Sequence, residues 1–80
     1  MIKITDMAEL SALIRSTRKT QHLTQEQLSA IAGVGMRFIR EVEQGKPSCQ
    51  IEKVFHVMKM LGISVFVTTK ESNSTPKKAN

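Results

Sequence analysis

Eighty residues carry twelve lysine and arginine side chains against seven aspartate and glutamate, a formal net charge of +5. A chain of this length forms one domain with a modest core, so dimerisation is a natural source of further stability. The basic excess suits a polyanion such as nucleic acid. The single cysteine, Cys49, excludes an intrachain disulfide framework and a thiolate zinc site, and reads as a small residue near a helix start. The opening MIKITDMAEL lacks the basic-then-apolar order of a secretory signal. No apolar run approaches the roughly eighteen residues of a membrane span, so a cytoplasmic protein with no membrane partner is expected.

Residues 1–5 alternate, Ile2 and Ile4 against Lys3 and Thr5, which fits a short strand. Asp6 then reads as an N-cap, with Glu9 at the spacing of a capping box. The helix behind it places Met7, Leu10, Leu13 and Ile14 on one face and gathers Arg15, Arg18 and Lys19 in its last turn, where positive charge suits the helix dipole. Thr24 and Gln27 repeat the capping-box spacing before a second helix, whose Leu28, Ile31 and Ala32 turn inward and which stops at Gly33. A third apolar period, Ile39 and Val42, ends near Gly45. Pro47 and Ser48 announce a fourth helix with a stripe of Ile51, Val54, Phe55, Met58 and Leu61, closed by Gly62. Residues 63–68, ISVFVT, switch to period two and are β-branched or aromatic at most positions, which reads as a strand. The polar, proline-containing stretch 70–80 has nothing to bury and is expected to be disordered, leaving residues 1–69 as the domain.

Residues 25–44, QEQLSAIAGVGMRFIREVEQ, carry the functional signal. Two short helices joined by a tight glycine-containing turn make a helix-turn-helix unit. Ala32 and Gly33 meet the need for small or φ-permissive residues at the crossing, Ser29 is small where the helices approach, and Leu28, Val34, Ile39 and Val42 supply the buried contacts. With Ile39 and Val42 inward, the outer face of the third helix shows Met36, Arg37, Arg40, Glu41 and Gln44. The first residues of a recognition helix are those that reach base edges. Arg37 is the leading base reader, since a guanidinium bonds guanine O6 and N7 together. Met36 suits a thymine methyl, Glu41 a cytosine amino group or the orientation of Arg37, and Arg40 a base or a phosphate.

The stretch TQEQLSAIAGV followed by IREVEQGK resembles the Xre (Cro-type) helix-turn-helix family over roughly residues 6–61. The resemblance implies a mainly α, four- to five-helix phage-repressor-like bundle whose third helix enters the major groove of double-stranded DNA. It also implies phosphate contacts from Thr24 and Gln25 at the start of the second helix, from Gln44 and Lys46 around Gly45, and from Arg18, which family members pair with an acid at Glu43. Two residues depart from the family pattern. Ser29 stands where alanine is usual, and Gly35 stands where a side chain often touches DNA.

A lone strand leaves its backbone groups unpaired. Its partner is the same strand of a second copy, residues 1–5, or both, with Ile63, Val65, Phe66 and Val67 as the dimerisation residues. An intermolecular sheet in a two-fold dimer sets two recognition helices about one DNA turn apart on a palindromic operator. Four helices, a GKPS turn and one strand, in VGMRFIREVEQGKPSCQIEKVFHVMKMLGISV, resemble the HipB-like antitoxins. That resemblance implies a homodimeric repressor that neutralises a HipA-like serine/threonine kinase toxin and controls their shared operon. A stand-alone phage-type repressor and a protein-interaction module that no longer binds DNA stay open beside it. No catalytic residue, metal site or cofactor is expected: His22 and His56 have no cysteine or carboxylate neighbours at nucleophile or metal spacing.

Overall fold

A computed structural model of the chain describes residues 1–47, 50–70 and, as backbone, 77–78. Four helices, α1 (Met7–Thr20), α2 (Gln25–Ala32), α3 (Met36–Glu43) and α4 (Ile51–Met60), are followed by two short strands, β1 (Phe66–Val67) and β2 (Lys77–Lys78). α2 packs on both α3 and α4, while α1 packs on α3. Ile14, Leu28, Ala32, Ile39, Val42, Val54, Val57, Met58 and Leu61 form the core, flanked by half-buried Leu10, Leu23, Val34, Phe38, Ile63 and Val65. None of the described helices is long and apolar enough to cross a membrane.

Local chemistry starts and stops each helix. The Asp6 carboxylate accepts from the Glu9 amide at 2.9 Å, as an N-cap does. The Glu9 carboxylate, the reverse half of the expected capping box, is taken mainly by Thr5, whose amide and hydroxyl both donate to Oε1, with the Asp6 amide a lesser influence on it. These bonds hold the Glu9 carboxyl below its ordinary pKa, the hydroxyl bond contributing most. Thr24 and Gln27 do form the full reciprocal box. α1 leaves through a Schellman turn in which Leu23 N–H donates to the Arg18 carbonyl and His22 N–H to the Lys19 carbonyl. His22 sits at φ 60°, the left-handed conformation that glycine ordinarily fills at this place.

The inward faces depart from the apolar stripes in three helices. On α1 the buried residues are Ser11, Ile14 and Arg18, so two polar side chains lie where Leu13 was expected and Leu13 itself is only half-buried. On α2, Ile31 is 51% exposed, because Leu28 and Ala32 already fill the contact with α3 and α4. On α4 the inward row is Val54, Val57, Met58 and Leu61, and Ile51 and Phe55 rotate out to 57% and 42% exposure. The Ser48 helix-start signal and the position of Cys49 lie outside the described residues; α4 begins after Gln50, which makes no side-chain cap.

The strand is shorter than its sequence suggests. Ile63 N–H donates to the Met58 carbonyl in the turn that ends α4, and Ile63 and Val65 pack their side chains on the core. That leaves only Phe66 and Val67 as β1, paired antiparallel with β2 in the register Phe66↔Lys78 and Val67↔Lys77. Two positions of the tail expected to be disordered are therefore in a strand; residues 71–76 and 79–80 lie outside the described residues. Residues 1–5 form no strand: their end is tied back to Glu9 through the Thr5 amide, and they are exposed.

His22→Gly is expected to stabilise the chain by about 0.5–1 kcal/mol, since it relieves a left-handed residue at the cost of some unfolded-state entropy. A thermal melt should move upward by several degrees; a lower melting temperature would show that the imidazole contributes more than the strain costs.

Candidate nucleic-acid interface

α3 is eight residues long, too short to persist alone, so its position comes from what holds it. Ile39 and Val42 are buried and Phe38 is half-buried, with the Lys53 ammonium of α4 lying 5.7 Å from the Phe38 ring centre. Two polar side chains of α1 grip its far end. The buried Ser11 hydroxyl donates to the Val42 carbonyl, and the Arg18 guanidinium donates from Nε and Nη2 to the two oxygens of Glu43 at 2.6 and 3.0 Å. Arg18 Nη1 reaches the Leu23 carbonyl at 2.7 Å, and Gln25 Nε2 adds a third bond to Glu43 at 3.0 Å. One carboxylate thus joins α1, α2 and α3. Burial pushes the Glu43 pKa up, but the bonds from Arg18 and Gln25 and the positive charges of Arg18 and Arg15 outweigh it, and the carboxyl titrates below its ordinary value.

The turn between α2 and α3 is closed by chemistry the sequence only hinted at. Gly33 takes φ 68°, Val34 N–H donates to the Ser29 carbonyl, and the Ser29 hydroxyl donates to the Val34 carbonyl. Ser29 therefore does more than keep the crossing small: it satisfies a carbonyl in the tightest part of the turn. Gly35 precedes α3 without a side-chain cap.

The outer face of α3 divides into two rows. Met36, Arg40 and Gln44, four residues apart, border a cleft whose other wall is Arg15, Arg18, Thr24, Gln25, Glu26 and Glu43. The start of α2, with its partial positive charge, opens into this cleft. The Thr24 hydroxyl oxygen is engaged by the Gln27 amide at 3.0 Å, which leaves its proton available to an outside acceptor. The second row is Arg37, Glu41 and Lys46. Glu41 Oε2 accepts from Arg37 Nε at 3.2 Å and from Lys46 Nζ at 3.3 Å. The Lys46 and Arg37 bonds hold the Glu41 carboxyl below its ordinary pKa.

Met36, Arg40, Gln44, Thr24 and Gln25 thus meet at one cleft, while Arg37, Glu41 and Lys46 meet at a separate junction on the adjacent flank of α3. Arg18 departs from its expected place on a DNA phosphate: with 9% of its side chain exposed, its guanidinium is turned inward by Glu43 and the Leu23 carbonyl. Its pairing with Glu43 is as expected, and its contribution to the face is to position Glu43 and Gln25. Of the lining residues, sequence reasoning missed Glu26 and, among the cations, Arg15. It was legible as one of three cations ending α1, but its direction depends on how α1 rolls against α3. Of the four residues expected at a dimer contact, Ile63 and Val65 are half-buried against the core, whereas Phe66 and Val67 are 49% and 48% exposed.

Removing Glu43 alone strands a buried guanidinium, so Glu43→Ala should lower stability by about 3 kcal/mol. Replacing both partners with Arg18→Met and Glu43→Met should return most of that loss. Because the folded pKa of Glu43 lies below the unfolded one, its contribution is present above the ordinary glutamate pKa and is lost as pH falls through the folded value. The urea midpoint of Glu43→Gln should therefore change less in acid than that of the wild type; parallel acid limbs would remove Glu43 from the account.

The helix-turn-helix family profile (HTH_3) matches residues 14–66. The HTH-type transcriptional regulator y4mF of Sinorhizobium fredii (strain NBRC 101917 / NGR234) is 48% identical over 63 residues, 79% of this chain and 83% of that protein. Among solved structures, HipB in its O4 20mer complex superposes with a TM-score of 0.79 at 18% identity, over 89% of this chain and 100% of that one. The HipA-HipB-O2-O3 complex gives 0.80 at 18% identity with the same coverage. The restriction-modification controller protein C.Esp1396I gives 0.66 at 24% identity, over 79% of this chain and 80% of that one. At these identities the structural likeness is one of fold. The profile match over more than half of the chain and the close regulator relative establish that this protein belongs to the Xre-type helix-turn-helix family of transcriptional regulators.

Proposed function

We propose that this chain is a transcriptional repressor that binds a palindromic operator as a homodimer and serves as the antitoxin of a HipBA-like pair, neutralising a HipA-like serine/threonine kinase toxin and repressing their shared operon. The single observation behind the antitoxin reading is the likeness to HipB over 89% of this chain, in a structure that also holds HipA and operator DNA. That span exceeds the 79% shared with the restriction-modification controller protein. The latter likeness keeps a stand-alone repressor as the second reading.

Binding to double-stranded DNA follows from the face of α3. Met36, Arg37, Arg40 and Glu41 are assigned to base edges, and Thr24, Gln25, Gln44 and Lys46 to phosphates, where they fix register. Arg37 is 87% exposed along its side chain, which suits a residue that must reach into the groove. Arginines presented in this way argue against an interaction module that has given up DNA. Phe66 and Val67, exposed beside a short ladder, are the surface a second copy would cover, with Ile63 and Val65 supporting them from the core.

Arg37→Ala should relax base preference at one position per half-site, at a cost of about 1–3 kcal/mol for the preferred sequence. Lys46→Ala should weaken all duplexes alike and reduce the slope of log affinity against log salt by roughly one. Titrations at several salt concentrations check both, and an intact operator preference in Arg37→Ala would overturn the assignment of bases to α3. Purification of the tagged chain from its host should recover a stoichiometric HipA-like kinase. Recovery of a DNA-bound dimer alone would leave the stand-alone repressor.

A further inference from the structure

We infer that Glu41 is a specificity-determining residue: it holds Arg37 and Lys46 away from indiscriminate phosphate binding while leaving the terminal fork of Arg37 open to a base edge. The inference rests on the DNA-binding reading above and deepens it.

The geometry is a three-way junction at a single oxygen. Arg37 Nε and Lys46 Nζ both donate to Glu41 Oε2, at 3.2 and 3.3 Å. Glu41 is the inner member, 28% exposed, against 87% for Arg37 and 50% for Lys46. Two features of the backbone hold it there. Glu41 follows Arg37 by four residues, the spacing that faces side chains to one another on a helix. The turn that ends α3, with Gly45 at φ 80°, brings Lys46 back so that its amide donates to the Glu41 carbonyl at 3.1 Å. Lys46 is thus tied to Glu41 at both its backbone and its ammonium.

Consider what an arbitrary duplex offers. Its phosphates are the common ligand, and affinity for them rises with each cation made available. A carboxylate between two cations of the face reduces what they can offer and repels phosphate itself. Consider next a site with a guanine under α3. A guanidinium has five N–H donors, and Glu41 takes Nε alone. Both terminal amino groups of Arg37 make no bond within the described residues, and these form the end that meets O6 and N7 together. Glu41 therefore aims the fork without occupying it, and the bond to Nε can persist while the base is read. A residue that weakens the wrong complex more than the right one raises specificity by a repulsive element.

The test compares the full-length chain with Glu41→Gln on two labelled duplexes, one of scrambled sequence and one selected by the wild type from a randomised pool. Glu41→Gln keeps the side chain's size and removes its charge; Glu41→Ala, a strong helix former, is the second variant should the first melt early. The expected result is a gain of about five- to tenfold on the scrambled duplex, with the salt slope steeper by about one to two. The selected duplex, where Glu41 also takes part in the base readout, should gain far less than the scrambled one or lose affinity, so that the ratio between the two falls by about five- to tenfold or more. Equal gains on both duplexes would make Glu41 a bulk charge and overturn the inference, as would unchanged affinity and slope on the scrambled one. A wild-type chain that ignores both duplexes at low salt would instead remove the DNA-binding reading itself, and the inference with it.

Discussion

Glu43 is where this fold is decided. Its two carboxylate oxygens take the Arg18 fork from α1, and one of them also takes the Gln25 amide from α2, while Glu43 itself is the last residue of α3. A buried ion pair is a poor source of net stability, because the desolvation of two charges offsets most of their attraction. What it supplies is direction. Apolar contacts in a small core tolerate a helix rolling by a fraction of a turn, but a bidentate guanidinium–carboxylate pair has one good geometry. Three helices meeting at one carboxylate therefore fix the roll of α3 about its axis, and with it the residues that face outward.

That constraint matters because α3 has little else. Its apolar contribution is Ile39, Val42 and part of Phe38, and the remaining residues are polar or turned outward. An amphipathic helix this short would sit loosely on two anchors. The Ser11 hydroxyl on the Val42 carbonyl and the Ser29 hydroxyl on the Val34 carbonyl secure its last turn and the turn that leads into it, so the polar interior of the bundle is concentrated around the helix of the candidate interface. The two outward rows follow from this roll. Met36, Arg40 and Gln44 border the cleft against α1 and α2, and Arg37 and Glu41 lie on the adjacent flank with Lys46 folded back onto them.

The parts of this arrangement legible in the sequence are those written within a few residues. Thr24 with Gln27, Gly33 after α2, and Ile39 with Val42 are short-range signals whose meaning does not depend on distant partners. The parts that were not legible are choices between nearly equivalent faces. On α4, Ile51, Val54, Phe55 and Met58 make as good an apolar row as Val54, Val57, Met58 and Leu61, and only the position of α2 selects the second. Arg18 is similar: the resemblance pairs it with an acid at Glu43, but an exposed phosphate ligand and a buried clamp have the same sequence. Their difference lies in the Leu23 carbonyl and in the closeness of α1 to α3. The strand is present, but its length was not legible, for another reason. The period-two pattern of residues 63–68 is real, but its first half is used to end α4 and to cover the core, so packing took residues that alternation alone assigned to a ladder.

The same economy explains why so much apolar surface remains outside. Ile51 and Phe55 on α4 and Phe66 and Val67 on β1 are all between 42% and 57% exposed, while the buried core among the described residues has nine members. A domain this small cannot bury every large side chain against itself. β1 also meets β2 on one side only, so its second edge carries backbone donors and acceptors that no other described strand satisfies. The proposed homodimer answers both needs with one contact: a second copy along β1 completes the ladder and covers Phe66 and Val67. No residue of β1 borders the cleft of Met36, Arg40 and Gln44 or joins the junction at Glu41. In the proposed function, assembly and DNA binding therefore draw on different residues, joined through the core against which Glu43 orients α3.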